Sequence, residues 1–414
     1  MFGNEVRLPR PFPMNELPVV RLNPGREKSL RRRHPWVFSG AIASVSGAPA
    51  AGAVVRVVSA KNELLAYGFF SPDSQLRVRA LSFAEDACPD DAWLRARLAA
   101  AKALREGLWN DADRNAARIV HGENDGLPGL VVDRYADLLS VQILSTYFET
   151  RREALSAMLL ELFPDVSAVY ERSDAQARIR EGLAPRSGLL AARPGVTPAE
   201  TAEIRLGGIR TRVDILHGQK TGSYLDQAEN HAIVGAFANG REVLDTFCYD
   251  GGFTLACLRG GAARVTAIDS SAEAIAALRA NLALNGLDDG RTEAVEGDVF
   301  TKLRSFRDAR RSFDLIVLDP PKFADSKAHT EKACRAYKDI NLLAFKLLRP
   351  GGLLATFSCS GAIDPTLFRT VVAEAACDAG RDARIIRSFT QAPDHPVALA
   401  YPEGLYLKGL LCAV

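Results

Sequence analysis

The seven cysteines include no C-x-x-C pair, and their number is odd. A zinc site and a disulfide scaffold are thereby excluded, and a reducing compartment is expected. No apolar run approaches the ~20 residues that a bilayer-spanning helix needs, so no membrane partner is expected. The opening residues, Met1-Phe2-Gly3-Asn4-Glu5, lack the charged-then-apolar order of a secretory signal. The cytoplasm is the expected location. The six histidines form no H-x-x-x-H or H-E-x-x-H cluster, so no metal is expected. Net charge is also scarce: the total is +2, which by itself makes no case for nucleic acid.

What is present is unevenly placed. With 47% hydrophobic and 25% charged residues, the 414-residue composition is that of a soluble globular chain. At roughly 150 residues per domain, about three domains are expected. Residues 1–80 hold 12 Lys and Arg against 5 Asp and Glu, a balance of +7, whereas the remainder holds 40 against 45, a balance of −5. A basic module on a mildly acidic body suggests binding of a polyanion at one end.

By pattern, residues 1–18 are a proline-rich leader, within which Met14 is an alternative start. Short β-branched and aromatic strands follow over 19–85 and suggest a small β-barrel, with Trp36 and Phe38 expected in its core. Residues 86–200 read as a mixed α+β domain with helices near 90–109 and 149–162 and an irregular connection over 186–198. Residues 201–414 form the third domain. It opens with a hairpin turning at Gly207-Gly208 and passes from about residue 220 into strands alternating with helices. That alternation predicts an α/β fold with a parallel, Rossmann-like sheet. The expected strands are 242–247, 264–269, 292–296, 313–318 and 352–357; the expected helices are 228–237, 253–260, 271–285 and 337–348. Residues 383–389 and 405–413 are expected to close the sheet as an antiparallel pair.

The segment Val243-Leu244-Asp245-Thr246-Phe247-Cys248-Tyr249-Asp250-Gly251-Gly252-Phe253 leaves a strand, turns at glycine and enters a helix, where free N–H groups face a ligand. Asp269 ends the next strand and is placed to accept the two hydroxyls of a ribose. Asp298, after the third strand, could reach an adenine amino group. No G-x-G-x-x-G is present to cradle a pyrophosphate. Acidic residues at this loop suit a cationic nucleoside cofactor, S-adenosylmethionine, instead.

The fourth strand ends in Asp319-Pro320-Pro321-Lys322-Phe323, where the two prolines fix a rigid lip beside the cofactor. Amine-methylating enzymes place an aromatic directly after the diproline. Lys322 stands there instead and could contact a phosphate or the base. The fifth strand ends in Ser358-Cys359-Ser360-Gly361, which puts Cys359 at the same edge. C5 of a pyrimidine is a weak nucleophile, and thiolate addition to C6 activates it. Cys359 is therefore the expected nucleophile, with Cys248 and Cys334 as competitors; Cys88, Cys377 and Cys412 are expected to be small buried hydrophobes. His395 is expected to be structural.

These residues resemble a known family. Gly25–Phe38 resembles the PUA RNA-binding module, His121–Tyr135 resembles the family's central domain, and Lys220-Thr221-Gly222-Ser223-Tyr224-Leu225-Asp226-Gln227 resembles its lead-in to the methyltransferase fold. Asp319–Phe323, Tyr337–Asn341 and Phe357–Gly361 complete the set. The family is the bacterial 23S rRNA cytosine-C5 methyltransferases with an N-terminal PUA domain. The resemblance implies S-adenosylmethionine as cofactor, 5-methylcytidine as product, and 23S rRNA, naked or in an assembling subunit, as partner. It implies a nucleophilic cysteine at Cys359, and Asp319 and Lys322 are the further expected catalytic residues. Tyr224, Asp226, Gln227, Asp245, Phe247, Tyr249, Gly251, Gly252, Asp269, Ser270, Asp298, Asp319 and Pro320 are expected around the cofactor. Arg26, Lys28, Arg31, Arg32 and Arg33, with Lys322, are the expected RNA contacts, and a homodimer is a further expected partner state. Two positions depart from the family: Ala228 replaces its usual arginine, and Asp250 its usual threonine. They leave open an RNA-binding assembly protein with altered or lost catalysis. A nicotinamide-dependent oxidoreductase is the third reading.

Overall fold

The structure, a computed structural model, describes residues 17–83, 87–108, 114–324 and 327–414. Apart from Leu17 and Pro18, the expected leader lies outside the described residues.

Four sheets organise the chain. The first runs Trp36–Phe38, Leu76–Ser82, Leu64–Phe70, Val54–Val58, Val19–Leu22, Ile42–Ser46 in spatial order. Its short outer strands, Trp36–Phe38 and Ile42–Ser46, were not evident in the sequence. Along Trp36–Phe38 the alternation of strand side chains sends Val37 into the core. Trp36 and Phe38 face the other way, contrary to the expectation that they fill a barrel. Phe38 is 52% exposed, and Trp36 packs edge-on against Tyr401, with ring centroids 5.0 Å apart.

The central sheet has the order Arg186–Ala192, Ala168–Ser173, Leu138–Ile143, Leu130–Tyr135, Ala116–His121. Arg186–Ala192 is thus an edge strand where the sequence suggested irregular chain. The helix Asp91–Glu106 starts where Asp90 accepts the Trp93 N–H at 2.8 Å. The next hairpin, Thr201–Leu206 with Ile209–Asp214, turns through Gly207 and Gly208, both left-handed with φ of 56° and 75°. That backbone matches a two-residue hairpin turn and needs glycine.

The last sheet has seven strands in the order Thr292–Glu296, Arg264–Asp269, Glu242–Thr246, Phe313–Leu318, Leu348–Ser358, Lys408–Ala413, Arg384–Thr390. The first five are parallel, and Lys408–Ala413 runs antiparallel to both of its neighbours. Its central strands are apolar because helices cover both faces. Leu315, Ile316, Val317 and Leu318 are wholly buried, each contributing roughly 1.5–3 kcal/mol. One face packs against Thr330–Leu347 and Pro365–Asp378, the other against Ala228–Gly235, Gly252–Arg259 and Ala272–Leu284. Helices Val299–Asp308 and Pro365–Asp378 were not anticipated, although Asp298 and Asp364 cap them. Strand order reverses between Arg264–Asp269 and Phe313–Leu318, on either side of Glu242–Thr246. Open α/β sheets bind ligands above such a point, at the carboxyl ends of the strands.

The segment from Gln391 to Tyr406 is a strap across the molecule. Asp394 accepts the Arg118 N–H at 2.9 Å, Asn124 accepts the Ala398 N–H at 3.0 Å, and Tyr401 meets Trp36. His395 is buried and paired with Asp394 at 2.8 Å, the structural part expected of it.

Candidate functional site

Beyond Thr246 the chain crosses the carboxyl edge of the sheet as a strained loop. Phe247 and Tyr249 adopt left-handed backbone, with φ of 58° and 46°, at about 1–3 kcal/mol each. Surrounding bonds over-determine the loop. The Tyr249 N–H donates to Asp269 Oδ2 at 2.9 Å, the Cys248 N–H to the Ile268 carbonyl at 3.0 Å, and Asn281 Nδ2 to the Asp250 carbonyl at 2.9 Å. A Cβ at Gly252 would stand 2.3 Å from the half-buried His231 ring, so any larger residue there would have to push that ring aside. Asp269 also receives the Ser271 N–H at 3.0 Å. Each of its oxygens carries one loop N–H and keeps a lone pair for a hydroxyl.

Four carboxyl groups converge here. Asp245 is fully buried; Oδ2 accepts the Thr254 hydroxyl at 2.6 Å, and Oδ1 has no partner among the described residues. Burial pushes it up to about 7. Burial likewise takes Asp250 to about 6. Asp319 rises to about 7 through burial and the neighbouring charge of Asp226. Asp226 goes the other way. Burial opposes its charge, but Lys220 Nζ at 2.8 Å and the Tyr406 hydroxyl at 2.6 Å hold it well below the usual carboxylate range. Asp226 Oδ1 is also buried without a partner among the described residues. Gln227, its oxygen held by Asn230 at 2.6 Å, lies beside Asp319. Tyr224 covers the Lys220 ammonium at 4.1 Å and meets Tyr249 edge-on. Orphaned buried carboxylate oxygens beside a diol-ready Asp269 suit a cationic nucleoside and would repel a pyrophosphate. The residues therefore fit S-adenosylmethionine.

Cys359 follows the strand Leu348–Ser358, next to Asp319. It is half-buried; burial and the Asp319 charge push its thiol up, and Lys220 draws it back down. Ser360 Oγ joins its loop to the diproline loop. It receives the Ala324 N–H at 3.4 Å and lies 3.2 Å from the Tyr337 hydroxyl. Pro320 is buried beneath this lip, while Lys322 stands exposed on it. Cys248 is buried in the cofactor loop, its thiol raised well above the usual value by burial. Cys334 packs against the core on the helix Thr330–Leu347 and is also raised by burial. Cys412 is buried as expected, but Cys377 is exposed on the last turn of Pro365–Asp378.

The other expected site residues are placed as follows. Asp298 Oδ1 is engaged as a helix cap, accepting the Thr301 N–H at 2.8 Å and its hydroxyl at 2.7 Å. Ser270 is exposed beside Asp269. Arg26, Lys28, Arg32 and Arg33 are exposed on the first sheet's helix and loop, but Arg31 is paired with Glu63 at 2.9 and 2.5 Å. The sequence reading missed Tyr406 and Lys408. Their one signal was a tyrosine and a lysine leading into an otherwise apolar strand. Ala228 and Asp250, the two departures, line one cavity with His231, Tyr224 and the hairpin.

Residues 20–83 match the family described as PUA-like domain, and residues 117–400 match the family described as S-adenosylmethionine-dependent methyltransferase. The chain is 47% identical over 395 residues to the ribosomal RNA large subunit methyltransferase I of Shewanella amazonensis, covering 95% of this chain and 99% of that one. It is 49% identical over 393 residues to the protein of the same name from Tolumonas auensis, covering 95% and 98%. Among solved structures, a SAM-dependent methyltransferase from Streptococcus mutans superposes with a TM-score of 0.82 at 20% identity, covering 96% of this chain and all of that one. At that identity the likeness shows the fold.

Proposed function

The chain belongs to the S-adenosylmethionine-dependent methyltransferases and carries a PUA-like domain, and on that premise we propose that it methylates C5 of a cytidine in large-subunit rRNA through Cys359. The observation that carries this reading is Cys359 beside Asp319 on the carboxyl edge of the sheet, next to the acidic crevice. When bound, S-adenosylmethionine supplies an electrophilic methyl group. Asp245, Asp226 and Asp269 would hold it, the first two facing its positive groups and the third its ribose. Tyr224, Gln227, Phe247, Tyr249, Gly251, Gly252, Ser270, Asp298 and Pro320 would wall the same crevice.

The chain's own residues do the rest. Cys359 Sγ, as thiolate, forms a bond to C6, and the electron pair of the C5–C6 double bond becomes available at C5. With its value raised to about 7, Asp319 keeps its proton in part of the population near neutrality, and in that form it can donate a hydrogen bond to the cytosine ring as charge builds there. After C5 is methylated its proton is removed, the double bond re-forms, and the thiolate leaves C6. Lys322 and the basic residues Arg26, Lys28, Arg32 and Arg33 hold phosphates.

The test is methyl transfer from labelled cofactor to unmodified 23S rRNA, read as nucleosides by mass spectrometry. We expect 5-methylcytidine. Tight cofactor and RNA binding without transfer would replace the reading with that of an RNA-binding assembly protein. That alternative is motivated by the two departures from the family, Ala228 and Asp250, which line one cavity.

A further inference from the structure

Lys408 is a buried lysine with no carboxylate within ion-pair distance among the described residues; it is 7% exposed. It lies opposite Ser358 in the antiparallel register, one residue before Cys359. Its side chain does not run out to solvent. Nζ donates to the Ser360 carbonyl at 2.6 Å and to the Ile363 carbonyl at 2.7 Å, so the ammonium sits inside the bend that carries Cys359. A buried cation held only by carbonyl oxygens is expensive, and burial lowers Lys408 to about 8. The charged groups facing it are Cys359, Asp364 and Lys322. Besides Lys408, those facing Cys359 are Asp319, Asp226 and Lys220. Asp226 is ionised and opposes a thiolate, and Asp319 opposes it too once it loses its proton near pH 7. Lys220 is already paired with Asp226.

We propose that Lys408 is a positioning residue for the nucleophile: it clamps the Ser358–Ile363 bend and supplies the positive charge that makes the Cys359 thiolate accessible in an acidic site. This rests on Cys359 being the nucleophile. A methionine at 408 keeps the volume and removes both functions; an arginine keeps the charge and can remake the carbonyl bonds.

The experiment measures alkylation of Cys359 by iodoacetamide in the full chain against pH, reading the Cys359 peptide by mass spectrometry. Wild type is compared with Lys408→Met and Lys408→Arg. Lys408→Met should move the alkylation midpoint up by about one unit or more, slowing both alkylation and methyl transfer roughly tenfold near neutrality. KM for RNA should stay unchanged, because the thiolate enters after binding. Lys408→Arg should return the midpoint towards wild type. A Lys408→Met profile that overlays wild type overturns the proposal, as does an arginine variant shifted as far as the methionine one. Should the methionine variant fail to fold, Lys408→Gln takes its place, with the same two outcomes. The activity of Cys359→Ala is a separate readout. If that variant still methylates, the nucleophile reading falls, while the alkylation profiles still decide whether Lys408 tunes Cys359.

Discussion

Asp245 and Asp319 share one crevice, and burial has taken both to about 7. The sign of the linkage is definite. A folded-state value above the ordinary carboxylate one means the folded chain keeps protons that the unfolded chain gives up. Each group therefore costs stability as pH rises through the window from about 4 to about 7, and the full cost stays above it. Asp226, held below the usual range, contributes stability that disappears only in strong acid, so it is silent in that window. A cationic ligand favours the ionised carboxylates. The free protein should thus melt lower at about pH 8 than at about pH 5.5, and S-adenosylmethionine should bind more tightly at the higher pH, releasing protons. Thermal shifts with and without cofactor, and calorimetry in two buffers of different ionisation heat, measure this; a pH-independent affinity would remove the carboxylates from the cofactor site. Cys359→Ala should abolish methyl transfer and keep cofactor binding. RNA carrying 5-fluorocytidine should trap the wild-type enzyme as a covalent adduct, because fluorine at C5 cannot leave as a proton.

Helix Val299–Asp308 raises a question of scale, because one residue, Asp298, is both its cap and the expected adenine contact. Serine caps as well as aspartate, and alanine does not. Asp298→Ala should lower stability by about 1 kcal/mol in a urea melt, while Asp298→Ser should keep stability and weaken cofactor binding. If the serine variant binds cofactor like wild type, the carboxylate is only a cap. Strands and helices of the last sheet were legible because buried parallel strands read as apolar runs and helices as amphipathic stripes. Ala272–Leu284, with Ser271 before it and Gly286 after it, was the plainest case. Val299–Asp308 and Pro365–Asp378 escaped notice although both have caps and a buried face, and Arg186–Ala192 escaped because an exposed edge strand lacks that apolar run. Cys359, Asp319 and Asp269 were legible because a strand end predicts its own position at the carboxyl edge. Lys408 and Tyr406 were not. Lys408 reaches the site on an antiparallel strand entering from the opposite direction, placed there by pairing with Leu348–Ser358, and Tyr406 lies on the segment that leads into that strand.

At the scale of the whole molecule, the basic residues belong to the first sheet and the acidic crevice to the last. If the exposed arginines hold phosphates, affinity for rRNA should fall steeply and linearly in log–log form with salt. Removing Arg26, Arg32 and Arg33 together should flatten that slope by about three phosphate contacts. Filter binding across salt concentrations tests this, and an unchanged slope would free these residues of the role. The strap from Gln391 to Tyr406 bears on how such a molecule can change over evolutionary time. Its Tyr401 is fitted to Trp36 of the first sheet, its Asp394 to Arg118 of the second, and its Tyr406 to Asp226 in the turn before helix Ala228–Gly235. Three modules that look exchangeable as beads on a string are therefore keyed to one another. A chimera taking its PUA-like module from a distant relative would inherit a mismatched seam beneath the strap, and the defect would surface at Asp226, in the acidic crevice, rather than at the junction where the genes were joined.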